Sequence, residues 1–323
     1  MPRYLLLGAG FSRNWGGWLA GEVANDLLWR LRHKPDLCEI LMRSGFEDAY
    51  HEIRSSFVRQ VTPVEDVILL ETAIRQTFAE MNIAFAKLDN LRFQGANNFY
   101  IIHFLAQFDA IFTLNQDLLL ELHYINSELP QRGRWQGIQY PGISQPQILE
   151  GQGTSGARRA FINERCYITH PKPELYEKNQ PIYKLHGSVN WYDGEGNDRA
   201  PTLVIGRDKS TTIEVNPLLS SYSRIFRESL SQKDALLMTV GYGFSDGHIN
   251  DAILAANNGG TNFGLFVVDP LGRDVLGNGK QEGAKDPYPL NSVRYVGGST
   301  RTFASTFAGD ELEFAKLNRF FQD

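Results

Sequence analysis

Short apolar runs that each end at a glycine or a polar cluster are the feature of this sequence that most restricts its fold. The first run, residues 4–7, passes directly into a glycine turn at Gly8. Similar runs occupy 109–114, 235–240 and 263–268, and segments with helical spacing of apolar residues lie between them. Buried strands that alternate with helices indicate an α/β fold, with a Rossmann-like, mostly parallel sheet and helices on both of its faces.

The segments between the predicted strands divide into helical and irregular parts. Apolar residues recur at three- and four-residue spacing over 18–33, which predicts a helix after the first glycine turn. We interpret 37–98 as a helical insertion, because it has no strand pattern and almost no glycine. The segment 125–181 is rich in Gly, Pro, Gln and Asn, and we interpret it as an irregular insertion that holds at most a short hairpin. Both insertions belong to one predicted domain, 1–323.

Composition and charge exclude several classes of protein. The chain is 42% hydrophobic and 21% charged, which is ordinary for a soluble globular protein. A net charge of −5 argues against broad binding to nucleic acid or to an anionic membrane. The two cysteines, Cys38 and Cys166, allow neither a disulfide framework nor a structural zinc module, and they suit the reducing cytoplasm. We expect no signal peptide, and no apolar run approaches the roughly 18 residues that span a bilayer.

The first glycine turn lies between a predicted strand and a predicted helix. Glycines in this context let the backbone approach a pyrophosphate, and the amides of the helix hold the anion. The third glycine of the dehydrogenase fingerprint would fall at position 13, which is Arg13. A tight turn without a ligand is the alternative interpretation. The residues that we predict to bind the cofactor here are Gly8, Ala9, Gly10 and Ser12.

A second glycine loop and an aspartate follow two later strands. The loop nearly repeats the first one, and it forms either a second wall of the same crevice or a turn whose Ser245 or Asp246 caps the helix 247–257. Asp269 comes directly after the strand 263–268. The residues that we predict to bind the cofactor in this part of the chain are Gly241, Tyr242, Gly243, Ser245 and Asp269.

Three polar residues follow two further strands. Asn115 and Asp117 share a face if the chain is still extended; an amide can orient a water molecule, and a carboxylate can bind a ribose hydroxyl. A helix cap is the alternative for this pair. His186 ends the apolar run 183–185, at the edge of an α/β sheet where ligands bind, although a buried structural histidine remains open. We expect no metal, because His186 has no other metal ligand near it in sequence. Of the other histidines, His248 follows the second glycine loop and is the hardest to assign a purely structural role.

Taken together, these segments resemble the sirtuin superfamily. Residues 8–12 match its Gly-Ala-Gly-x-Ser loop, and 113–117 are similar to its Thr-Gln-Asn-x-Asp motif, with Leu114 in place of Gln. Residues 185–187 match its catalytic Leu-His-Gly segment, and 241–245 occupy the place of its Gly-Thr-Ser loop. The resemblance implies a fold that binds NAD as a substrate. It also implies catalytic roles for Asn115 and His186, with Asp117 as a ribose anchor.

Two departures from the sirtuin pattern disfavour acyl-lysine chemistry. The four-cysteine zinc module of the deacylases is missing, and residues 16–21 replace their Gly-Ile-Pro-x-Phe-Arg segment. The patterns at 185–191 and 243–250 are similar to the sirtuin-like proteins of bacterial anti-phage defence, which hydrolyse NAD. That resemblance implies an NAD glycohydrolase that depletes NAD, acting with a separate sensor or a HerA-type ATPase partner.

Other functions remain open at this stage. An NAD-dependent deacylase or ADP-ribosyltransferase is one alternative, and a non-catalytic nucleotide-sensing module is another. A dehydrogenase fits less well, because the third glycine is missing and no acidic residue ends a second strand about 20 residues on. We also expect a homo-oligomer, since apolar residues of the insertion 37–98, such as Phe57, Val61 and Ile68, could form an interface. Packing onto the sheet is the alternative for these residues.

Overall fold

A computed structural model gives the fold. It describes residues 1–93, 99–125, 127, 129–130, 133–144, 158, 161–162, 164–169, 174–193, 202–206, 209–278 and 289–322. The strands are β1 (Arg3–Leu7), β2 (Ala110–Thr113), β3 (Gly137–Gln139), β4 (Cys166–Tyr167), β5 (Asn179–Lys184), β6 (Trp191–Tyr192), β7 (Leu236–Val240), β8 (Gly264–Val268) and β9 (Tyr295–Ser299).

The helices surround the strands in chain order. They are α1 (Ala9–Arg13), α2 (Ala20–Arg30), α3 (Pro35–Val58), α4 (Val64–Ala86), α5 (Ile101–Leu105), α6 (Leu119–His123), α7 (Lys209–Val215), α8 (Pro217–Leu230), α9 (Gly247–Asn258), α10 (Phe303–Phe307) and α11 (Glu311–Asn318). Short 3₁₀ segments cover Gly272–Asn278, Pro289–Ser292 and Arg319–Phe321.

Seven strands form one parallel sheet in the order β3-β5-β2-β1-β7-β8-β9. Strand β1 lies at the centre, where Leu5, Leu6 and Leu7 are fully buried. Parallel strands that are covered on both faces consist of continuous apolar residues, which is why these runs were recognisable in the sequence. The predicted Rossmann-like α/β fold is confirmed.

Long helices fill the segment that we interpreted as a helical insertion. Helices α3 and α4 pack against each other and against α2, and α3 is interrupted at Gly45, whose φ is 75°. No strand occurs between 37 and 93, and residues 94–98 lie outside the described part of the chain. Phe57, Val61 and Ile68 are exposed, so their participation in an oligomer interface stays a prediction.

The irregular segment 125–181 contributes more to the sheet than its sequence indicates. Its residues 137–139 form the edge strand β3, which pairs parallel with β5. Strand β4 pairs parallel with β6 in a separate two-stranded sheet, so the described part of this segment contains no hairpin of its own. Strands of two or three residues show no alternation that could distinguish them from loops. Much of 125–181 lies outside the described residues.

Most other elements begin and end within a few residues of their predicted limits. The last strand extends through Gly297 and Gly298, which no strand pattern includes, and helix α10 was not predicted. Helix α9 matches the predicted segment 247–257. Among the helices described, none combines the length and the apolar character that a membrane crossing requires.

Candidate active site

The carboxyl ends of β1, β2, β5, β7 and β8 open onto one cavity of about 790 Å³. Eleven of the twelve predicted site residues line it: Gly8, Ala9, Gly10, Asn115, Asp117, His186, Gly241, Tyr242, Gly243, Ser245 and Asp269. Ser12 is buried and does not line this cavity. The distant segments therefore converge, as expected for strand ends at one edge of a parallel sheet.

The two glycine loops pack directly against each other. The Gly10 amide donates a hydrogen bond of 3.0 Å to the Gly241 carbonyl, and the Gly8 amide donates one of 3.0 Å to the Val240 carbonyl. A Cβ atom on Gly8 would lie 2.4 Å from the Gly241 oxygen, and a Cβ on Gly241 would lie 2.4 Å from backbone atoms of Gly10. The close contact between the loops thus requires glycine at these positions. The amides of Gly8 and Gly10 already donate hydrogen bonds to carbonyl groups of the protein.

We expect Gly241→Ala to lower the free energy of unfolding by about 2–4 kcal/mol. Its φ of +60° is strained for any side chain, and the new Cβ would meet the backbone of Gly10. Gly243→Ala is the matched control, because no atom lies within 4 Å of its Cβ position. That variant should stay within about 0.5 kcal/mol of the wild type. Chemical denaturation measures both, and equal stabilities for the two variants would contradict the loop contact.

Hydrogen bonds link Asn115 and Asp117, which line the cavity, through the buried Ser12 behind them. The Ser12 hydroxyl donates to Asp117 Oδ2 at 2.8 Å, and the Asn115 Nδ2 donates to the Ser12 Oγ at 3.0 Å. An ionised carboxylate only accepts hydrogen bonds, so the single hydroxyl proton of Ser12 goes to Asp117. Ser12 must then accept from Asn115, which turns the amino end of the carboxamide towards Ser12.

This arrangement of hydrogen bonds leaves the carbonyl oxygen of Asn115 free to accept a hydrogen bond. Among the described residues, no group donates to Asn115 Oδ1. Both oxygens of Asp117 are occupied, since Oδ1 accepts from the Leu119 amide at 3.0 Å. Because Ser12 does not line the cavity, we assign it the role of orienting Asn115 and not that of contacting a cofactor. Asp117 lines the cavity and helps to orient Asn115 through Ser12.

A buried lysine joins the loops that follow β2 and β5. Lys184 Nζ donates to Glu121 Oε1 at 2.6 Å, to the Asp117 carbonyl at 2.6 Å and to Ser188 Oγ at 2.9 Å. Lys184 and Glu121 are nearly inaccessible to solvent. The ammonium group therefore holds the backbone of the Asn115–Asp117 segment against the turn that carries His186.

His186 pairs with a second histidine. It is 3% exposed, and its Nε2 lies 3.1 Å from the Nε2 of His248. Burial holds the pKa of His186 well below its usual value, and the nearby Asp246 carboxylate offsets only part of this effect. Burial likewise lowers the pKa of His248, to about 4. Both rings are therefore neutral at physiological pH.

Lys209 and Asp246 form an ion pair beside the two rings. Lys209 Nζ lies 2.5 Å from Asp246 Oδ1 and 2.9 Å from Glu47 Oε2. Burial of Asp246 acts to raise its pKa and is the largest single effect, but attraction to Lys209 and to the two histidines, together with the hydrogen bond from Lys209, lowers the pKa overall. Asp246 occupies the N-cap position of α9, yet its side chain makes no capping hydrogen bond. In the alternative that assigned a cap to Ser245 or Asp246, Asp246 has the right position but not the capping bond, because its carboxylate turns to Lys209 instead.

Three groups in the site could in principle hold a metal ion. Ligand atoms of His186, Asp246 and His248 all lie within 4.8 Å of one another. His186 has no other possible metal ligand near it in sequence, and the fold brings Asp246 and His248 to it from about 60 residues away. The Lys209 ammonium competes with a cation for Asp246, so the cluster is already neutralised from within the protein. The expectation of no metal stays a prediction.

A known protein family includes the segments that form this cavity. The SIR2-like domain family matches residues 109–273, just over half of the chain. The chain belongs to the SIR2-like domain family. The matched segment contains Asn115, His186 and the second glycine loop. A SIR2-like domain implies an enzyme that uses NAD.

Solved structures and curated proteins were compared with this SIR2-like chain as well. Matches include 22 solved chains. One is the structure of Sir2Tm bound to a propionylated peptide, which is 12% identical, has a TM-score of 0.34, and aligns over 98% of this chain and 94% of that chain. No curated protein matches the sequence.

Proposed function

We propose that this SIR2-like protein is an NAD glycohydrolase, which cleaves NAD with water to nicotinamide and ADP-ribose. The observation that supports this most directly is that Asn115 and His186 line one cavity together with both glycine loops. A carboxamide oxygen can place a water molecule by accepting its hydrogen bond, and a neutral imidazole can accept the proton that hydrolysis releases.

The nicotinamide–ribose bond of NAD is already activated, which explains why two side chains suffice for its hydrolysis. Nicotinamide leaves as a neutral molecule from a pyridinium, so its departure needs no general acid. The transition state is oxocarbenium-like, as in other glycoside cleavages. The bond between the ribose C1′ and nicotinamide breaks with its electrons going to nicotinamide, and a water oxygen bonds to C1′. One proton is released in each turnover, and a base must accept it.

Asn115 places the attacking water or a ribose hydroxyl. Its Oδ1 is the free acceptor of the carboxamide, because Ser12 holds the amino end. His186 accepts the proton, either directly from the water or through the ribose 3′-hydroxyl. It is neutral before the reaction, as a general base must be. Asp117, which orients the Ser12 hydroxyl, supports the ribose side of the site.

A deacylase of the zinc-containing kind fits the chain less well. Its two cysteines are Cys38 in α3 and the buried Cys166 in β4, where Asn190 Nδ2 donates to the thiol sulfur at 3.3 Å. Two separate thiols cannot supply a four-cysteine zinc module. Hydrolysis of NAD by water, without an acyl-lysine acceptor, is therefore the reaction that we favour.

Mass spectrometry of purified protein incubated with NAD tests the proposal. We expect nicotinamide and ADP-ribose in equal amounts without any peptide, and the same rate in EDTA. Nicotinamide release only with a propionyl-lysine peptide would show a deacylase, and ADP-ribose attached to the protein would show a transferase. Tight NAD binding without any nicotinamide release would support the nucleotide-sensing alternative.

The pKa of His186 predicts how turnover depends on pH. A base works in its unprotonated form, and a lowered pKa keeps His186 unprotonated at acidic pH. We expect kcat/KM to stay near its maximum from about pH 8 to below pH 6.5, the usual pKa of a histidine, and to fall only at lower pH. Initial rates between pH 5 and 8, with circular dichroism as a check on folding, measure this. A half-maximal rate at pH 6.5 would contradict it.

Depletion of NAD would serve defence against phage, which we propose as the biological role. The support is the resemblance at 185–191 and 243–250. The proposal includes cytoplasmic action, a homo-oligomer, and a separate sensor or HerA-type ATPase partner. Cellular NAD in infected bacteria that express the wild type or His186→Ala tests it, with loss of NAD expected only for the wild type. Equal NAD levels in the two strains throughout infection would contradict the role.

A further inference from the structure

We propose that His248 is a positioning residue for His186, and that it takes over the proton which NAD hydrolysis releases and delivers it to solvent. This inference rests on the proposed hydrolysis of NAD and assigns a role to a second histidine in the same site. The observation behind it is the direct contact between the two rings, 3.1 Å from Nε2 to Nε2.

The two histidines occupy different positions relative to the cavity. His186 lines the cavity and is only 3% exposed, so its ring has little contact with bulk water, and NAD bound in the cavity would reduce that contact further. His248 is not among the described residues that line the cavity, and its side chain is partly exposed. His248 therefore lies between the buried ring and solvent.

The contact couples the protonation of the two rings. In a hydrogen bond between two neutral imidazoles, one nitrogen carries the hydrogen and the other accepts it. When His186 Nε2–H donates to His248, the lone pair of His186 is on Nδ1. The proton from water, or from the 3′-hydroxyl that water re-protonates, goes to His186 Nδ1. The Nε2 proton passes to His248 Nε2, and His248 releases its Nδ1 proton to solvent. Both rings are then neutral in the opposite tautomer, and exchange of their ring protons with water restores the starting tautomers before the next turnover.

The charges around His186 favour passing the proton on to His248 over keeping it on His186. A protonated His186 would be a buried cation near the Lys209 ammonium, and the Asp246 carboxylate is already paired with Lys209. A buried charge without its own partner is costly. Moving the proton to the more exposed ring lowers this cost and returns His186 to its neutral form, and release of the proton to solvent then removes the cost.

A buried hydrogen-bond network holds His248 in place. His248 is the second residue of helix α9, just after the second glycine loop. The Tyr242 hydroxyl donates to Asn250 Oδ1 at 2.9 Å, and Asn250 Nδ2 donates to the Phe244 carbonyl at 2.9 Å. The loop and the first turn of the helix are thereby joined on both sides of His248, so the ring faces His186 in a defined position.

Steady-state kinetics of His248→Gln and His248→Ala test the relay, with His33→Gln as the matched control because His33 is exposed. Glutamine keeps a hydrogen-bonding group near His186 but cannot accept and release a proton near neutral pH. We expect kcat to fall about 10–100-fold in both variants, less than the loss on removing the base itself. KM for NAD should stay within about twofold, since His248 does not line the cavity. Added imidazole should restore part of kcat in His248→Ala.

Separate outcomes distinguish failure of the relay from failure of the proposed function. Wild-type rates in both His248 variants, or equal losses in kcat and in NAD affinity without rescue by imidazole, would overturn the relay alone. Absence of nicotinamide release by the wild type would overturn the hydrolase proposal and the relay with it. Ring ¹⁵N shifts of His186 in the protein without NAD give an independent readout, and the relay requires them to change in His248→Ala.

Discussion

His186→Ala is expected to slow nicotinamide release by about 10²–10⁴-fold, the range that a positioned base contributes. The imidazole lines the cavity, and its neutral form is maintained by burial. Among the described residues its side chain hydrogen-bonds only with His248, so the fold should survive. Quantification of nicotinamide by liquid chromatography at saturating NAD measures the effect.

Asn115→Ala should cause a loss of similar size, because it removes the acceptor that places the water. The Ser12 hydroxyl would lose one donor but keep its bond to Asp117, so stability should change little. His33→Ala, at an exposed position, is the control for both variants. Wild-type turnover by purified, folded His186→Ala or Asn115→Ala protein would show that the assigned residue is not catalytic.

Lys184→Met is expected to lower the free energy of unfolding by about 3–5 kcal/mol, the usual cost of removing one partner from a buried ion pair. The change leaves the Glu121 carboxylate buried without its cation, and it also removes the donor to the Asp117 carbonyl. Urea denaturation of the variant and the wild type measures the difference.

A double variant and a change of pH serve as the controls. Lys184→Met combined with Glu121→Leu should recover much of the loss, because neither charge of the ion pair is then left buried without its partner. Burial raises the pKa of Glu121 despite the opposing attraction of Lys184, and without Lys184 the folded state favours the protonated form further. Because stability from a raised pKa is lost as pH rises, the single variant should be less destabilised at pH 5 than at pH 8. A loss below about 1 kcal/mol at pH 8 would contradict the role of the pair.

The central part of the fold was predictable because its strands are buried on both faces. Strands β1, β7 and β8 consist almost entirely of apolar residues and end at glycine or aspartate, so both the strands and the edge that carries the site follow from local sequence. Strand β3 could not be predicted in this way. Its three residues join the sheet through pairing with β5, about forty residues later, and nothing in Gly137–Gln139 indicates that pairing.

The site was predictable in its parts but not in its internal contacts. Strand ends identified Asn115 and His186, which line the same cavity. The partner of His186 lies 62 residues away in sequence, and the ion pair of Lys209 with Asp246 spans 37 residues. Such contacts depend on how the loops pack. The glycine loops show the same limit: a phosphate-binding pattern and a loop-packing pattern are identical in sequence, and the hydrogen bonds and close approach between the two loops become visible only in the structure.

A crystal structure of His186→Ala with NAD bound tests the central claim most directly. We predict one NAD molecule in the cavity, with the nicotinamide ribose between Asn115 Oδ1 and the position of the missing imidazole, and with the pyrophosphate near the two glycine loops. A dinucleotide whose nicotinamide ribose lies away from Asn115, or a cavity that stays empty at saturating NAD, would contradict it.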